Sequence, residues 1–525
     1  MTERTELSLP LEAKVGQLCA ASLFAGPQTV ERLVRAGQVG AVLLYYPDFD
    51  GPVETAELTN RLQELAPVPL LIQADFEMGA GRLLPRATML PSLMAVGATG
   101  SAEMAREHGR LTAVESRGAG VNHVFAPVVD VNVNPGNPIV NVRAFGGDAG
   151  AVGDLAAAWI AGCQEAGALA CAKHFPGHGD TAQDSHVELP AVPHDLERMQ
   201  RVELAPFRAA IASDVGSIMT AHISFPSVDP SLVPATLSQP ILTGLLRDQL
   251  GFQGIVVTDA MVMYAVWRRY EQGDAAVRAI EAGADLVLTV DPEVSYAALL
   301  EAARDGRLSE TRIDQAVGRL LRAKERLGLF TRRSVDPAEA GRTAGTADHR
   351  EVALRIARAG LTLLKGSLAA DSGMARLLIA PDVSYYSGGR LMNELARLLR
   401  RGKLPGARLV WLREPVSSEQ IEEIVARRGD ARDAILLSVS GATAWSPGSS
   451  HSSDGQVRLV QALAEHLPVR VISLGSPYVL PAFTHHAAAL ACTYGAEPAG
   501  IEAALDALTG RLEPSGRMPV EVPGL

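Results

Sequence analysis

Eight short apolar runs recur through the first two thirds of the chain, and they constrain its fold more than any other feature. They occupy 18–23, 40–45, 69–75, 123–130, 168–175, 217–223, 254–260 and 285–290. Most are continuous runs of Val, Ile, Leu and Ala, as expected of parallel strands buried on both faces. Segments with helical spacing lie between them, such as 52–65 and 149–166. The pattern predicts an α/β chain whose first part is a (β/α)8 TIM-type barrel ending near Phe330.

A second, smaller α/β block follows a polar stretch. Residues 331–348 are rich in Gly, Ala and Thr and contain Pro337, which is typical of a linker. Beyond them, apolar runs at 376–380, 408–412, 434–439, 469–474 and 489–493 alternate with helical patterns, which predicts a smaller α/β/α sandwich domain. We therefore expect a barrel domain at 1–335, a linker at 336–347 and a sandwich domain at 348–525.

Composition excludes several classes of protein. The chain is 47% hydrophobic and 20% charged, so it can bury a large core and is not a disordered chain. Its net charge of −11 argues against a nucleic-acid partner, which requires a basic face. We find no apolar run near 18 residues and no signal peptide, so we expect no membrane span and a cytoplasmic location. The four cysteines are scattered, as in proteins with reduced thiols.

Charged and polar residues follow the predicted barrel strands where each strand ends. The third run ends in Asp75, the fourth leads into Asp130 and on to Arg143, the fifth contains Lys173 and His174, the sixth leads to His222 and the seventh to Asp259. The carboxyl ends of barrel strands form the active face of such folds. A charged group at a buried strand end is costly unless it has a partner or a function. Their convergence on one rim predicts a functional site.

The segment after the fifth run is the sharpest motif. It reads KHFPGHGD at 173–180, and Asp184-Ser185-His186 follow. In an extended stretch the side chains of Asp184 and His186 point to the same side. A carboxylate beside an imidazole fixes its tautomer and favours its protonated form, which suits a general acid/base. Gly177 and Gly179 give this loop backbone freedom.

A metal site is the alternative interpretation of the same segment. Its candidate ligands are His174, His178, His186, Asp180 and Asp184. Their spacing matches no common zinc pattern. We therefore expect no metal and no other cofactor.

The motif KHFPGHGD…DSH resembles the signature of family 3 glycoside hydrolases, in their bacterial β-N-acetylglucosaminidase (β-hexosaminidase) branch. Other segments are similar to the family as well: NHVFAPVVD at 122–130, RAFG at 143–146, MTAH at 219–222, GFQGIVVTDAM at 251–261, ALRIARAGLTLLK at 353–365, SLGSPY at 473–478 and GRLEPSGRMPV at 510–520. The resemblance spans nearly the whole chain. It implies hydrolysis of terminal β-linked N-acetylglucosamine with retention of configuration, through a covalent glycosyl-enzyme.

The resemblance also implies a role for each matching residue. Asp259 is the expected nucleophile, and His186, held by Asp184, is the expected general acid/base. The expected substrate-binding residues are Asp75, Arg143, Lys173, His174 and His222. Two departures stand out: the chain has Asp75-Phe76-Glu77-Met78-Gly79 where many relatives have Asp-Gln-Glu-Gly-Gly, and Ala260 where some have a second aspartate. The first departure makes the loop after Asp75 bulkier, which bears on what part of a substrate fits beyond the terminal sugar.

Several alternatives stay open at the level of sequence. A neutral histidine repels an anionic acceptor less than a carboxylate does, so transfer to phosphate instead of water is permitted. A non-catalytic sugar-binding barrel is disfavoured because Asp259 and the Asp184–His186 pair are both present. The expected partner is a small glycoside or oligosaccharide; a wall muropeptide fragment, a chitin oligosaccharide or another glycoside would all fit, and a cytoplasmic location favours the recycling of wall fragments. The second domain either covers barrel surface or shapes the aglycone site or a dimer contact.

Overall fold

Eight short parallel strands form a nearly closed barrel sheet. They are β1 Cys19–Ser22, β2 Ala41–Leu43, β3 Leu71–Ala74, β4 His123–Val124, β5 Leu169–Phe175, β6 Ser217–Thr220, β7 Ile255–Val257 and β8 Val287–Thr289. Their order in the sheet is β7-β6-β5-β4-β3-β2-β1-β8, and a parallel bridge between Val257 and Leu286 joins the two ends. Every residue of the eight strands is buried. The predicted barrel is confirmed, and burial on both faces explains the continuous apolar runs.

The structure is a computed structural model that describes residues 9–182, 188–369, 375–382, 390–439 and 453–525. Its contacts divide the chain into two units. The first comprises Met1–Thr88, Ala105–Val131 and Ala149–His349. The second comprises Met89–Met104, Asn132–Asp148 and Arg350–Leu525. The domain boundaries expected from sequence stay predictions.

Helices alternate with the barrel strands. Up to residue 360 they are Leu11–Gln17, Pro27–Arg35, Pro52–Leu65, Leu93–Thr99, Ala102–Gly118, Ala149–Glu165, Leu196–Arg201, Ala205–Ala212, a π-helix at Pro240–Gln249, Tyr264–Trp267, Gln272–Ala282, Pro292–Arg304, Glu310–Arg326, Pro337–Thr343 and Ala347–Gly360. Pro337–Thr343 falls within the polar stretch expected to be a linker. Its helix begins because the Asp336 side chain accepts the N–H of Ala338, which caps the first turn.

The second unit contains a six-stranded sheet. Its strands are β9 Thr362–Lys365, β10 Arg376–Pro381, β11 Ala407–Leu412, β12 Asp433–Ser438, β13 Val469–Ser473 and β14 Ala489–Cys492, and its helices after residue 360 are Arg390–Arg400, Ser418–Ala426, Asp454–Ala464 and Pro498–Leu508. The order is β11-β10-β12-β13-β14-β9, with β9 antiparallel to β14. Five of these strands were predicted. The sixth, β9, was missed: it is a short strand at the edge of the sheet, and only the first of its four residues is buried.

Successive residues of this sheet enter different cores. Leu377 and Ile379 pack in one apolar cluster with Leu459 and Leu463 of the helix Asp454–Ala464, whereas Leu378 packs in another. That second cluster also contains residues of the helices Arg390–Arg400 and Pro498–Leu508. Strand side chains alternate between the two faces, so helices cover both faces of the sheet. The predicted α/β/α sandwich is confirmed.

Two segments from the N-terminal half pack within the second unit. The Ser92 hydroxyl donates to the Tyr494 carbonyl oxygen at 2.9 Å, and the Asn132 side-chain amide donates to the Tyr478 hydroxyl at 3.2 Å. Gly97 is required where these segments cross, because a Cβ there would lie 1.7 Å from the Phe145 carbonyl oxygen. Chain order therefore does not coincide with the division into units.

The cysteines and the helices bear on two further expectations. All four cysteines are buried free thiols, as their scattered positions predicted. Within the described ranges, no helix combines the length and the apolar content that crossing a membrane requires.

A buried lysine joins the last barrel helix to the amino ends of the first two strands. Lys324 lies in the helix Glu310–Arg326 and is fully buried. Its Nζ donates to the Gln17 side-chain oxygen at 2.5 Å and to the Gly40 carbonyl oxygen at 2.9 Å. Both acceptors are uncharged, so burial lowers the pKa of Lys324 to about 7.

We expect this lysine to make stability depend on pH. The unfolded chain binds the proton up to a pKa near 10.5, whereas the folded chain releases it above about 7. The free energy of unfolding therefore rises with pH across that window, by up to about 1.4 kcal/mol per pH unit. Urea unfolding of wild type at pH 7.0 and 8.5 should show this rise, and Lys324→Met should lose it. Arg326→Met, an exposed change on the same helix, is the control; an equal rise in Lys324→Met would contradict the assignment.

Candidate active site

A buried ammonium group holds two carboxylates at the carboxyl ends of the barrel strands. Lys173 lies in β5, and its side chain is only 2% exposed. Its Nζ lies 2.6 Å from Oδ1 of Asp75 and 2.7 Å from Oε1 of Glu77, both of which follow β3. A cation this deeply buried is stable only beside negatively charged partners. The ion pair confirms that Asp75 and Lys173 meet, as their strand-end positions indicated, and it adds Glu77, to which sequence reasoning gave no role.

A second buried carboxylate organises the start of the KHFPGHGD segment. Asp130 accepts the His174 Nδ1 proton at 2.8 Å, the His174 backbone N–H at 3.2 Å and the His178 backbone N–H at 2.7 Å. Burial raises the pKa of Asp130, but the charges of His174 and His178 and these hydrogen bonds outweigh it, so the net shift is downward. Asp130 therefore stays ionised and fixes the orientation of the His174 ring.

The two glycines of this segment are required by packing. Gly177 has a φ of +138°, a region that side chains rarely adopt. A Cβ at Gly179 would lie 1.8 Å from the Val131 carbonyl oxygen. The sequence predicted backbone freedom here; the structure shows instead a backbone that approaches its neighbours too closely for any side chain.

His222 connects β6 to the segment that carries Asp259. Its Nδ1 lies 2.7 Å from the Thr236 hydroxyl, and its Nε2 donates to the Ala260 carbonyl oxygen at 3.0 Å. Both ring nitrogens thus have protein partners. This geometry places His222 as a support for the chain beside Asp259; its expected contact with substrate stays a prediction.

Asp259 lies just beyond β7 and is partly exposed. Its Oδ1 accepts the Ala260 backbone N–H at 2.7 Å, which fixes the carboxylate. The charge of Asp259 also reaches Cys171 in β5: burial raises the pKa of Cys171 to about 12, the charges of Asp75 and Asp259 add to the rise, and a hydrogen bond with Ser217 and the charge of Lys173 oppose it. Asp259 and the Asp75–Lys173 pair are therefore within electrostatic reach of one buried thiol.

Three further residues were predicted for the site. Arg143 ends a short 3-10 turn, Asn141–Arg143, in the second unit, and its guanidinium donates to the Ile139 carbonyl oxygen at 3.2 Å. Asp184 and His186 lie outside the described residues. The structure thus brings together Asp75, Lys173, His174, His222 and Asp259 on one barrel rim, and the roles expected for all eight residues stay predictions.

Three of the candidate metal ligands, His174, His178 and Asp180, lie among the described residues and have protein partners. His174 binds Asp130, and His178 Nδ1 lies 2.9 Å from the Thr181 hydroxyl. Asp180 lies with His194 and Glu203 in a group whose ligand atoms are within 4.8 Å of one another. Arg198 already supplies positive charge there, since its guanidinium donates to both Glu203 oxygens at 2.9 and 3.0 Å. The prediction that the site uses no metal stays a prediction.

Comparison with known proteins identifies the family. Residues 10–323 match the family model described as Glycosyl hydrolase family 3 N terminal domain. The chain belongs to glycoside hydrolase family 3. It is thus a glycoside hydrolase, as the KHFPGHGD…DSH motif indicated.

Three relatives of this family 3 chain are informative, and two of them cover nearly its whole length. A β-N-acetylglucosaminidase/β-glucosidase of Cellulomonas fimi is 29% identical over 556 residues, which span 97% of this chain and 93% of that one. β-Hexosaminidase A of Pseudoalteromonas piscicida is 34% identical, over 69% of this chain and 66% of that one. The solved structure of a family 3 β-N-acetylglucosaminidase from Paenibacillus sp. str. FPU-7 superposes with a TM-score of 0.86 at 34% identity, covering 98% of this chain and 99% of that one.

Replacing the carboxylate of Asp130 tests whether it supports the site. In Asp130→Asn one buried N–H donor faces the side-chain NH2 group, which cannot accept a hydrogen bond. We therefore expect the free energy of unfolding to fall by about 2–4 kcal/mol. Urea denaturation followed by circular dichroism measures this. Asp214→Asn is the matched control, because the Asp214 carboxylate forms an exposed pair with Arg326 and its replacement should change stability by about 0.5 kcal/mol or less. Equal effects of the two substitutions would refute the supporting role.

Proposed function

We propose that this family 3 enzyme hydrolyses terminal, non-reducing β-linked N-acetylglucosamine with retention of configuration. The observation that carries the proposal is that Asp259 follows β7 on the same rim of the barrel as the ion-paired Asp75–Lys173–Glu77 group, at the carboxyl ends of the parallel strands. Three relatives named for N-acetylglucosaminidase or hexosaminidase activity support the choice of sugar.

The charged groups of the rim suit the recognition of a sugar. Asp75 and Glu77 accept hydrogen bonds from hydroxyl groups, whereas Lys173 donates them, so one ion-paired group offers both kinds of partner. Hydrogen bonds to charged groups are stronger than those between neutral groups. Because Lys173 is buried against both carboxylates, the three groups are positioned before a substrate arrives.

Catalysis then takes two steps. Asp259 attacks the anomeric carbon while His186, oriented by Asp184, protonates the departing oxygen, and a glycosyl ester forms on Asp259. In the second step His186 accepts a proton from water, the water oxygen attacks the anomeric carbon, and Asp259 leaves as a carboxylate. The role of His186 rests on its sequence motif, whereas Asp259 is also supported by its position on the rim.

Phosphate as acceptor is the competing outcome. A β-glucoside phosphorylase has a similar structure, with a TM-score of 0.85 at 26% identity over the whole of this chain. Two relatives that align with nearly the whole chain at higher identity are named for N-acetylglucosaminidase activity, and this favours water as the acceptor. A cytoplasmic location and a part in recycling wall fragments are further predictions that accompany this proposal.

The direct test compares an aryl β-N-acetylglucosaminide with an aryl β-glucoside, each with and without phosphate. We expect preference for the N-acetyl sugar, free N-acetylglucosamine as product, and a rate independent of phosphate. Asp259→Asn should lower turnover by roughly 10³-fold or more without altering the circular dichroism spectrum, because the nucleophile is lost. Phosphate-dependent release of a sugar 1-phosphate would establish phosphorolysis in place of hydrolysis, and preference for the glucoside would refute the proposed sugar.

The acid/base role of His186 predicts a dependence on the leaving group. An activated nitrophenolate departs without a proton, whereas a sugar hydroxyl requires one. His186→Ala should therefore lose roughly 10²–10⁴-fold in kcat/KM on N,N′-diacetylchitobiose and far less on the nitrophenyl glycoside. His485→Ala serves as the control, because His485 is an exposed histidine. Equal losses on both substrates would argue against general acid catalysis by His186.

A further inference from the structure

Three aromatic side chains are exposed on the rim beside the candidate site. Phe24 is 62% exposed, Tyr45 41% and Tyr46 70%. Phe24 follows β1, and the two tyrosines follow β2, the adjacent parallel strand. All three therefore lie at the carboxyl ends of strands, on the same rim as Asp75 and Asp259. The rings of Phe24 and Tyr45 have centroids 6.3 Å apart and are tilted by 54°, so they form one surface.

The backbone that carries these rings is held in place. The Phe24 N–H donates to the Ser22 hydroxyl at 3.3 Å. The Tyr45 N–H donates to the Asp48 carboxylate at 2.9 Å, and the Asp48 N–H donates back to the Tyr45 carbonyl oxygen at 2.7 Å. Because the backbone at Phe24 and Tyr45 is already fixed, a ligand that covers these two rings has to order only their side chains.

The aromatic surface adjoins the ion-paired carboxylates. The Leu44 N–H donates to the Gln73 carbonyl oxygen at 2.9 Å, which ties the chain before Tyr45 to β3, and β3 leads directly to Asp75. Burial raises the pKa of Tyr45, and the charges of Asp75 and Glu77 raise it further, whereas Arg82 and Lys173 lower it. The Tyr45 phenol thus lies within electrostatic reach of the groups proposed to bind the terminal sugar.

We propose that Phe24, Tyr45 and Tyr46 form a platform for the aglycone, and that this aglycone is itself a pyranose ring. The inference rests on the proposed function, because it takes the Asp75–Lys173 pair as the site of the terminal sugar. A β-linked pyranose presents axial C–H bonds that form an apolar face, and aromatic rings are suitable surfaces for such a face. Tyr45 lies at the junction of the two sugars, and the more exposed Phe24 and Tyr46 extend the surface outward. The substrate class is therefore β-linked N-acetylglucosaminyl oligosaccharides rather than glycosides of small alcohols.

The test compares two substrates that differ only in the aglycone ring. N,N′-diacetylchitobiose carries a pyranose aglycone, and methyl β-N-acetylglucosaminide carries none. The measured ratio is kcat/KM for the chitobiose divided by kcat/KM for the methyl glycoside. We expect this ratio to fall roughly five- to tenfold in Phe24→Ala and in Tyr46→Ala, because the stacked surface is lost. Phe330→Ala is the control: Phe330 is 39% exposed but lies beside Pro67 and Pro69, which precede β3 at the opposite end of the barrel. It should leave the ratio unchanged.

Each outcome decides between the platform and the proposed function. An unchanged ratio in both variants, or equal losses on both substrates, overturns the platform while leaving the proposed function intact. If wild type cleaves β-glucosides but no N-acetylglucosaminide, the proposed sugar fails. The same ratio measured with cellobiose and methyl β-glucoside then tests the platform independently, and a fall in that ratio supports it.

Discussion

The contact between Lys173 and the carboxylates of Asp75 and Glu77 is the interaction on which the candidate site depends. An ammonium group with almost no solvent exposure is stable only beside negative charge, and the two carboxylates in turn need a cation so near the barrel interior. The three groups therefore fix one another. Because β5 carries the lysine and the loop after β3 carries both carboxylates, the contact requires the strands to be in register.

Hydrogen bonds of further polar groups hold the rest of the rim. Asp130 satisfies two backbone N–H groups and one imidazole at the start of the KHFPGHGD segment. His222 connects the end of β6 to the chain beside Asp259. Each support includes a hydrogen bond between the ends of neighbouring strands, so the frame of the barrel holds the loop residues of the site in place. The aromatic surface of Phe24 and Tyr45 extends outward from the same frame.

The sequence was sufficient for most of the fold. All eight barrel strands and five strands of the second sheet appear where continuous apolar runs predicted them, because strands buried on both faces leave few polar positions. The edge strand β9 was missed, since it is only four residues long and just its first residue is buried. The helix Pro337–Thr343 was missed because a polar composition resembles a linker even where a capped helix forms.

For the site, the sequence by itself indicated which charged and polar residues occur at the strand ends. It could do so because the order of strands along a (β/α)8 chain fixes the face of the barrel on which each strand ends. It identified Asp75, Lys173, His174 and Asp259 in this way. Only the tertiary structure decided which of these residues interact. Glu77 forms an ion pair with Lys173, Asp130 accepts a hydrogen bond from His174, and His222 donates one to the Ala260 carbonyl oxygen. It also assigned the segments Met89–Met104 and Asn132–Asp148 to the second unit. Such pairings depend on distances between residues far apart in the chain, which local apolar patterns do not encode.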